Sequence, residues 1–195
     1  MDVDAGIVQT LHDSGALKEG HFLLSSGRHS GRYIEKFDLL RRPALTSEAC
    51  ALFTRRFRAE RIDVVAGPTT GGIILAFELA RQLGADAAYA ERKSGSQSDR
   101  EFKRGTTFRT GARVLVVDDI LTTGGSVRET LDALAGHAVE TIGVAILVDR
   151  SGGAVRFEAP LTSLVTMDIE TWEPASCPLC DAGMLLVKPG TTPGN

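Results

Sequence analysis

The amino-acid sequence predicts an α/β fold with a central, mostly parallel sheet flanked by helices. From residue 62 onward, short β-branched apolar runs alternate with helical segments, a pattern typical of βαβ units. Before residue 43 a helix is followed by two extended pieces. At 195 residues the chain fits one domain. We therefore expect a single domain over 1–195, with a core at about 43–153.

The first third of the chain predicts two helices and two extended pieces. Apolar residues at i, i+4 and i+8 indicate a helix over residues 2–14. Extended pieces at 21–24 and 32–40 lie on either side of a turn at 25–28. A proline at its opening and an apolar face predict a second helix over 43–61.

The rest of the chain predicts alternating strands and helices. Irregular cover is expected at 172–189 and a frayed end at 188–195. The predicted helices are 73–83 and about 126–135. The predicted strands are 62–66, 86–90, 113–118, 141–148 and an edge strand at 161–167.

Composition restricts the classes of function. The chain is 43% hydrophobic and 24% charged, with a net charge of −3, so it lacks the basic excess that nucleic acid or an acidic membrane would attract. The acidic N-terminus does not resemble a signal peptide, and no apolar run approaches the ~18 residues of a membrane span. We expect a cytoplasmic protein without nucleic-acid or membrane partners.

The densest chemical signal lies at residues 114–126. The apolar run at 114–117 predicts a buried parallel strand that delivers Asp118 and Asp119 to the carboxyl edge of the sheet. The turn that follows offers amides, hydroxyls and a helix N-terminus to a phosphate. Because like charges repel, the carboxylates should contact neutral ribose hydroxyls or a metal held by the ligand. The alternative is an ordinary turn with two solvated aspartates. The turn residues are Leu121, Thr122, Thr123, Gly124, Gly125 and Ser126.

A second turn rich in glycine and threonine, residues 67–72, is a further candidate anion site through Thr70, Gly71 and Gly72. Two such sites at one sheet edge suggest a ligand with two phosphate ends. Alone, this turn is equally well an ordinary strand–helix connection. The chain contains neither a P-loop motif nor the G-x-G-x-x-G turn of dinucleotide-binding proteins.

These motifs resemble the type I phosphoribosyltransferases, whose signature is an apolar strand, two acidic residues and a Thr/Gly loop that binds phosphoribosyl pyrophosphate. The resemblance implies that Asp118 and Asp119 contact the ribose hydroxyls, that residues 121–126 hold the 5′-phosphate and that residues 67–72 form the pyrophosphate loop. Several orotate-type members carry a lysine in that loop, at the place we match to Gly72. The resemblance also implies Mg²⁺ held mainly by the ligand, with no dedicated protein ligands.

The segment 20–34 resembles the hood of the orotate phosphoribosyltransferases, with a Ser-Gly-Arg sequence before an aromatic extended strand. The resemblance implies a small N-terminal cap on the domain, the hood, made of about 1–40 and part of the C-terminal segment. By this resemblance Arg28, Tyr33 and Ile34 bind substrate, while Ser25 stands where a lysine is common. Arg150 matches the arginine that holds the carboxylate of orotate in a bidentate fork. The alternative for Arg150 is an exposed residue paired with Asp149.

The polar segment 91–108 predicts either a lid over the ligand or a solvated, mobile loop. Arg92 and Lys93 match a basic pair that contacts pyrophosphate in the orotate enzymes, in some members across a dimer interface. Many members then have a lysine and a histidine, where this chain has Ser96 and Ser98. Candidate substitutes are Arg100, Lys103 and Arg104.

Cys177 and Cys180 form a single C-x-x-C motif in the C-terminal segment. A structural zinc site needs four ligands, and no second C-x-x-C or nearby His-x-x-x-His completes this one. The simpler interpretation is a pair of thiols in a turn beside Pro178. The alternative is a metal site, for which two chains of a dimer could each donate a pair.

The resemblance implies a homodimeric, Mg²⁺-dependent enzyme of pyrimidine nucleotide synthesis. It would join N1 of orotate to C1′ of phosphoribosyl pyrophosphate and release pyrophosphate. Two alternatives stay open. One is a phosphoribosyltransferase for a purine or for uracil, and the other is a non-catalytic sensor of phosphoribosyl pyrophosphate.

Overall fold

The structure is a computed structural model that describes residues 5–24, 26–96 and 98–189. Its helices are α1 (Ala5–Asp13), α2 (Lys36–Leu40), α3 (Pro43–Phe57), α4 (Gly71–Leu83), α5 (Gly125–Ala135) and α6 (Pro178–Asp181). Its strands are β1 (Leu17–Leu23), β2 (His29–Ile34), β3 (Val64–Pro68), β4 (Asp86–Arg92), β5 (Arg100–Phe102), β6 (Ala112–Leu121), β7 (Val139–Asp149), β8 (Leu161–Thr166) and β9 (Thr171–Trp172). A short 3-10 helix covers Pro174–Ser176.

The core is a six-stranded sheet in the order β5-β4-β3-β6-β7-β8. All neighbours are parallel except β5, which pairs antiparallel with β4. The predicted α/β class and mostly parallel sheet are therefore confirmed. The connections through α4 and α5 place the turns that precede both helices at the same carboxyl edge.

Helices cover both faces of the sheet, and β6 supplies apolar side chains to each. Leu115 and Val117 pack with α1, α3 and α4 in one cluster, while Val114 and Val116 pack with α5 in another. Because side chains alternate along a strand, this pattern also decides the direction of the acids that follow.

A second, three-stranded antiparallel sheet has the order β1-β2-β9. Its first two strands form a hairpin at the place of the two predicted extended pieces, and His29 and Ser30 of β2 pair with Trp172 and Thr171 of β9. The hood sheet thus combines N-terminal and C-terminal segments.

Several boundaries differ from the sequence prediction. Residues 32–40 are not one extended piece, since β2 ends at Ile34 and a helix follows, with the Glu35 side chain accepting a hydrogen bond from the amide of Phe37. Strand β6 continues past the predicted residue 118 to Leu121. Predictions for residues 2–4, Ser25 and residues 190–195 lie outside the described part of the chain.

Part of the polar segment 91–108 belongs to a β4–β5 hairpin, in which Glu91 and Arg92 pair with Glu101 and Arg100. Its apolar anchor is Phe102, whose ring packs edge-on against Phe108 at a centroid distance of 4.9 Å, with His137 alongside. The irregular cover expected at 172–189 includes the end of β9, the 3-10 helix and α6. In the part of the chain that the structure describes, no helix combines the length and the apolar character needed to cross a membrane.

Candidate active site

The paired aspartates lie near the end of β6 and point to opposite faces of the sheet. Asp118 follows the α5 side and lines a cavity of about 220 Å³ together with Arg92, Glu129 and the turn 121–126. Asp119 faces α2 and the start of α4. Both side chains are almost completely buried. Two adjacent carboxylates therefore offer acceptors to a ligand from two sides of one strand.

Asp118 is held by a hydrogen bond from the amide of Asp119 to its Oδ1, at 2.8 Å. Burial, and next the negative charge of Asp119, raise the pKa of Asp118 to about 7. Lys36 and Arg100 act in the opposite direction. Near neutral pH this carboxyl group can therefore be present in both protonation states.

Asp119 forms an ion pair with Lys36, whose Nζ lies 2.9 Å from Oδ2 and 3.0 Å from Oδ1. The amide of Ile120 also donates to Oδ1 at 2.7 Å. On its other side the carboxylate touches Gly71, where a Cβ would lie 1.8 Å from Oδ2. Only glycine fits at position 71 with the carboxylate in this place. Lys36 is not among the predicted site residues, because residues 32–40 were predicted to be extended and the helix that carries Lys36 was not expected.

The turn 121–126 forms the wall of the cavity and leads into α5. Gly124 has φ +82°, and a Cβ there would lie 2.7 Å from Nη1 of Arg128, so this position requires glycine. The same Nη1 donates to the carbonyl of Thr123 at 2.6 Å and fixes the turn from outside. Thr122 and Thr123 are exposed, and within the described residues their hydroxyls have no hydrogen-bond partner. Amides and hydroxyls are thus available to an anion.

The second turn, 67–72, packs tightly between β3 and α4. A Cβ at Gly67 would lie 2.4 Å from the carbonyl oxygen of Gly72, and a Cβ at Gly72 would lie 2.7 Å from Cδ of Pro68. The peptide bond between Thr69 and Thr70 is cis. Since Gly72 is buried and leaves no room for a side chain, the turn presents backbone groups instead of the lysine that several orotate enzymes carry.

Arg100 connects the second turn to α5. Its side chain is buried; Nη1 donates to Oγ1 of Thr69 at 3.0 Å and Nε donates to Oε2 of Glu129 at 2.9 Å. Arg92 approaches the same Oε2, with Nη1 at 3.7 Å. The sequence offered Arg100 only as one of three substitutes in a polar loop. Its burial depends on partners 31 and 29 residues away, which no local pattern signals.

Arg150 lies beside the first turn on the hood side. It follows β7 directly, and its amide donates to the carbonyl of Leu121 at 2.8 Å. Its Nε is buried and has no hydrogen-bond partner among the described residues, and burial lowers the pKa of its guanidinium. Asp149 instead accepts from the amide and hydroxyl of Ser151. The structure therefore does not form the Arg150–Asp149 pair considered above.

Three of the predicted site residues lie elsewhere or are engaged. Arg28 donates to Thr171 through Nε at 2.9 Å and pairs with Glu173. Ile34 is buried in the hydrophobic core, so only its backbone is available to a ligand. Lys93 is exposed at the end of β4 and does not line the cavity.

Tyr33 is partly buried. Burial and, secondarily, Glu35 raise its pKa, while the charges of Arg150, Lys18 and Lys36 act in the opposite direction. Ser96 accepts hydrogen bonds from the amides of Ser98 and Asp99, so it stabilises the β4–β5 connection. Lys103 and Arg104 contact the carbonyl of Arg92 and the carboxylate of Glu91.

A larger cavity, of about 950 Å³, lies between α5, the start of β7 and residues 156–160. It contains neither aspartate and neither turn. We place the chemistry at the smaller cavity because Asp118, Arg92 and the turn 121–126 line it.

Comparison with known proteins identifies the family. The model of the phosphoribosyl transferase domain matches residues 38–179, which include both turns, both aspartates and Arg150. This chain belongs to the phosphoribosyl transferase family. The match begins inside α2 and ends inside α6, so it also includes part of the segment that contributes to the hood.

Among relatives in this family, the orotate phosphoribosyltransferase of Caldicellulosiruptor bescii is 45% identical over 191 residues, which cover 98% of both chains. That of a Thermoanaerobacter species is 42% identical and covers 95% of this chain and 96% of its own. Such similarity extends through the hood as well as the core.

Solved structures in the family agree. Orotate phosphoribosyltransferase from Aeropyrum pernix superposes with a TM-score of 0.70 at 30% identity, covering 83% of this chain and 93% of its own. Adenine phosphoribosyltransferase from Rhodothermus marinus reaches a TM-score of 0.66 at 20% identity, covering 84% and 100%. The fold alone therefore does not distinguish the acceptor base.

Proposed function

We propose that this protein transfers the 5-phosphoribosyl group from phosphoribosyl pyrophosphate to orotate, giving orotidine 5′-phosphate and pyrophosphate in pyrimidine nucleotide synthesis. The observation that carries the choice of base is Arg150, whose buried Nε lacks a partner beside the phosphate turn. A buried guanidinium donor without a partner is costly unless a ligand supplies an acceptor. Orotate carries a carboxylate that a guanidinium can hold through two hydrogen bonds, whereas uracil and the purine bases do not.

The sugar-phosphate part of the donor fits the cavity at β6. The 5′-phosphate would contact the amides and hydroxyls of the turn 121–126, at the N-terminus of α5. The ribose hydroxyls would donate to Asp118 and Asp119, because these carboxylates accept hydrogen bonds and would repel the phosphates. The two aspartates on opposite faces of β6 would then fix the orientation of the ring.

Breaking the bond between C1′ and the pyrophosphate oxygen develops positive charge on the sugar and negative charge on the leaving group. Catalysis here depends on positioning and electrostatic stabilisation. The aspartates would stabilise the sugar, and Arg100 would hold the turn 67–72 in place for the pyrophosphate, with Arg92 close by. Orotate can enter deprotonated, so the reaction requires no protein base.

The site residues fit a magnesium ion held mainly by the donor. Nζ of Lys36 lies 2.9 Å from Oδ2 of Asp119, but this buried oxygen accepts no hydrogen bond among the described residues, and Oδ1 of Asp118 accepts a backbone amide. Both carboxylates therefore keep acceptor capacity toward the donor. When bound to the pyrophosphate and ribose hydroxyls, Mg²⁺ neutralises the negative charge of the leaving group.

Lys93 would act from the β4–β5 hairpin. Its amide donates to the carbonyl of Asp99 at 2.9 Å, so the hairpin holds it at the end of β4 with its side chain exposed. A hairpin movement over the ligand would bring this charge to the pyrophosphate and exclude water. The homodimer and the cytoplasmic location stay predictions from the sequence. Light scattering on a purified sample gives the mass in solution and so tests the homodimer.

One assay tests the proposal against its alternatives. Purified protein is incubated with phosphoribosyl pyrophosphate, Mg²⁺ and one of orotate, uracil or hypoxanthine, and nucleotide formation is followed. We expect turnover with orotate alone. Turnover with uracil or hypoxanthine at a comparable rate would assign a different acceptor, and donor binding without turnover would indicate a sensor.

A further inference from the structure

A cluster of two histidines and two cysteines lies within the hood and shares no residue with the candidate active site. His21 comes from β1, His29 from β2, Cys177 from the residue after the 3-10 helix and Cys180 from α6. One ligand atom from each of the four lies within 4.8 Å of the others. His21, His29 and Cys177 are buried, and Cys180 closes the cluster toward solvent.

The spacing of these atoms matches a tetrahedral zinc site. Zn–N bonds of about 2.0–2.1 Å and Zn–S bonds of about 2.3 Å place the ligand atoms of a tetrahedron roughly 3.3–3.8 Å apart. Here Nε2 of His21 lies 3.4 Å from Sγ of Cys177 and 3.7 Å from Sγ of Cys180. Nδ1 of His29 lies 3.3 Å from Sγ of Cys180 and 3.0 Å from Nε2 of His21.

The surroundings of His21 orient its ring for metal binding. Its Nδ1 lies 2.9 Å from the carbonyl oxygen of Met184, an acceptor only, so Nδ1 carries the proton. In the neutral imidazole, Nε2 then directs its lone pair into the cluster. A backbone carbonyl on the outer nitrogen is the usual support of a zinc-bound histidine.

We propose that His21, His29, Cys177 and Cys180 bind one Zn²⁺ ion in a structural site. A hydrogen bond from His29 to His21 would explain the contact between the two rings. It would not explain why the sulfur atoms of Cys177 and Cys180 also lie close to these ring nitrogens. Two thiolates and two imidazoles form a complete tetrahedral set, which is typical of structural rather than catalytic zinc. Nitrogen and sulfur ligands also disfavour magnesium and calcium.

The sequence analysis left a metal site at the C-x-x-C motif open as an alternative and did not connect His21 and His29 with it. The completing ligands lie 156 and 151 residues away, from His21 to Cys177 and from His29 to Cys180. The ion would fasten the β1–β2 hairpin to the C-terminal segment, next to the pairing of β2 with β9. It would therefore stabilise the hood and the position of Tyr33 at the other end of β2.

Metal analysis of the full chain tests the proposal without reference to activity. The protein is grown in zinc-supplemented medium, freed of any histidine tag, dialysed against buffer with excess Mg²⁺ and examined by inductively coupled plasma mass spectrometry. We expect about one zinc per chain. After exchange with Co²⁺, the visible spectrum should show the intense bands of tetrahedral cobalt with thiolate ligands.

Four variants sharpen the test. Cys180→Ser and His29→Asn should lose the zinc and melt at a lower temperature, with Cys180→Ser the milder change because that side chain is exposed. The controls Cys50→Ala and His12→Asn remove a cysteine and a histidine outside the cluster, and both variants should keep the zinc. A folded native chain that takes up no zinc on titration overturns the proposal. So does zinc that remains fully bound in Cys180→Ser and His29→Asn, or a Cys177–Cys180 disulfide in protein isolated without oxygen.

Discussion

The carboxyl edge of the central sheet and the hood assemble their functional groups in different ways. At the sheet edge, the two aspartates and the turn 121–126 occupy one continuous segment, 118–126, at the end of a buried strand. In the hood, β1 and β2 meet β9 and α6 from the opposite end of the chain. The comparison shows that a candidate site on a parallel sheet can be local in sequence, whereas the hood depends on contacts between the two ends of the chain.

The difference predicts which changes affect chemistry and which affect assembly. Substitutions at the sheet edge should change turnover while the protein stays folded. Substitutions in the hood should change stability and the binding of the base more than the binding of the donor. The four predictions that follow concern the sheet edge, from the largest expected effect to the smallest, and the variants of the histidine–cysteine cluster described above test the hood.

Asp119→Asn should have the largest effect. It removes the charge that pairs with Lys36 at 2.9 Å and that, in our proposal, faces the ribose. We expect kcat to fall on the order of 100-fold or more, because loss of one preorganised electrostatic group typically lowers kcat by about that factor. Circular dichroism should show an unchanged fold. Asp132→Asn, an exposed position on α5, is the matched control, and equal turnover in both variants would remove Asp119 from the mechanism.

Gly71→Ala should follow. The added methyl group would lie 1.8 Å from Oδ2 of Asp119, so either the carboxylate or the turn must move. A displacement of about 1 Å at a reacting group can cost up to ~100-fold, and we expect a fall in kcat of roughly 10- to 100-fold. Gly136→Ala, where the nearest contact would be 3.8 Å away, is the control. If both variants retain native kcat, the close approach of Gly71 to Asp119 has no catalytic importance.

Arg150→Ala should change the requirement for orotate specifically. A hydrogen bond to a charged group contributes about 1.5–3 kcal/mol, so KM for orotate should rise at least about tenfold while KM for the donor stays nearly constant. Arg150→Lys should recover only part of the effect, because an ammonium group lacks the fork geometry. Arg58→Ala, at an exposed position, serves as control. An equal rise in both KM values would exclude the carboxylate contact.

The smallest effect concerns stability and pH. The pKa of Asp118 rises from 3.8 to about 7 on folding, so its contribution to stability is full below pH 4 and is lost as the pH rises through 7. Asp118→Asn removes this loss and should melt several degrees above the native chain at pH 8, with a smaller difference at pH 5. Asp132→Asn should show no such dependence. A constant difference between Asp118→Asn and the native chain across this range would show that Asp118 is not strained by burial.

The sequence predicted the sheet edge well because its signals are adjacent. A buried strand, two acids and a glycine turn before a helix stand within residues 114–126, and the structure brings them together in that order. The prediction failed where partners are distant along the chain. Lys36 meets Asp119 across 83 residues, and Arg100 becomes buried only through Thr69 and Glu129.

Local patterns also misjudged the hood. Residues 32–40 were predicted to be extended, but the buried Leu39 and Leu40 and the Glu35 cap favour a helix there. The pairing of β2 with β9 is antiparallel and joins residues more than a hundred positions apart, so no turn signal announces it. His21 and His29 were not predicted to be metal ligands for the same reason, since the cysteines that they meet are distant along the chain.

A crystal structure with orotidine 5′-phosphate is the most direct test of the central claim, that sugar, phosphate and base sites adjoin around β6. We predict the 5′-phosphate on the amides of residues 121–126, the ribose hydroxyls on Asp118 and Asp119, and the orotate carboxylate within hydrogen-bond distance of Arg150. A nucleotide bound elsewhere, or bound here with its carboxylate away from Arg150, would contradict the account.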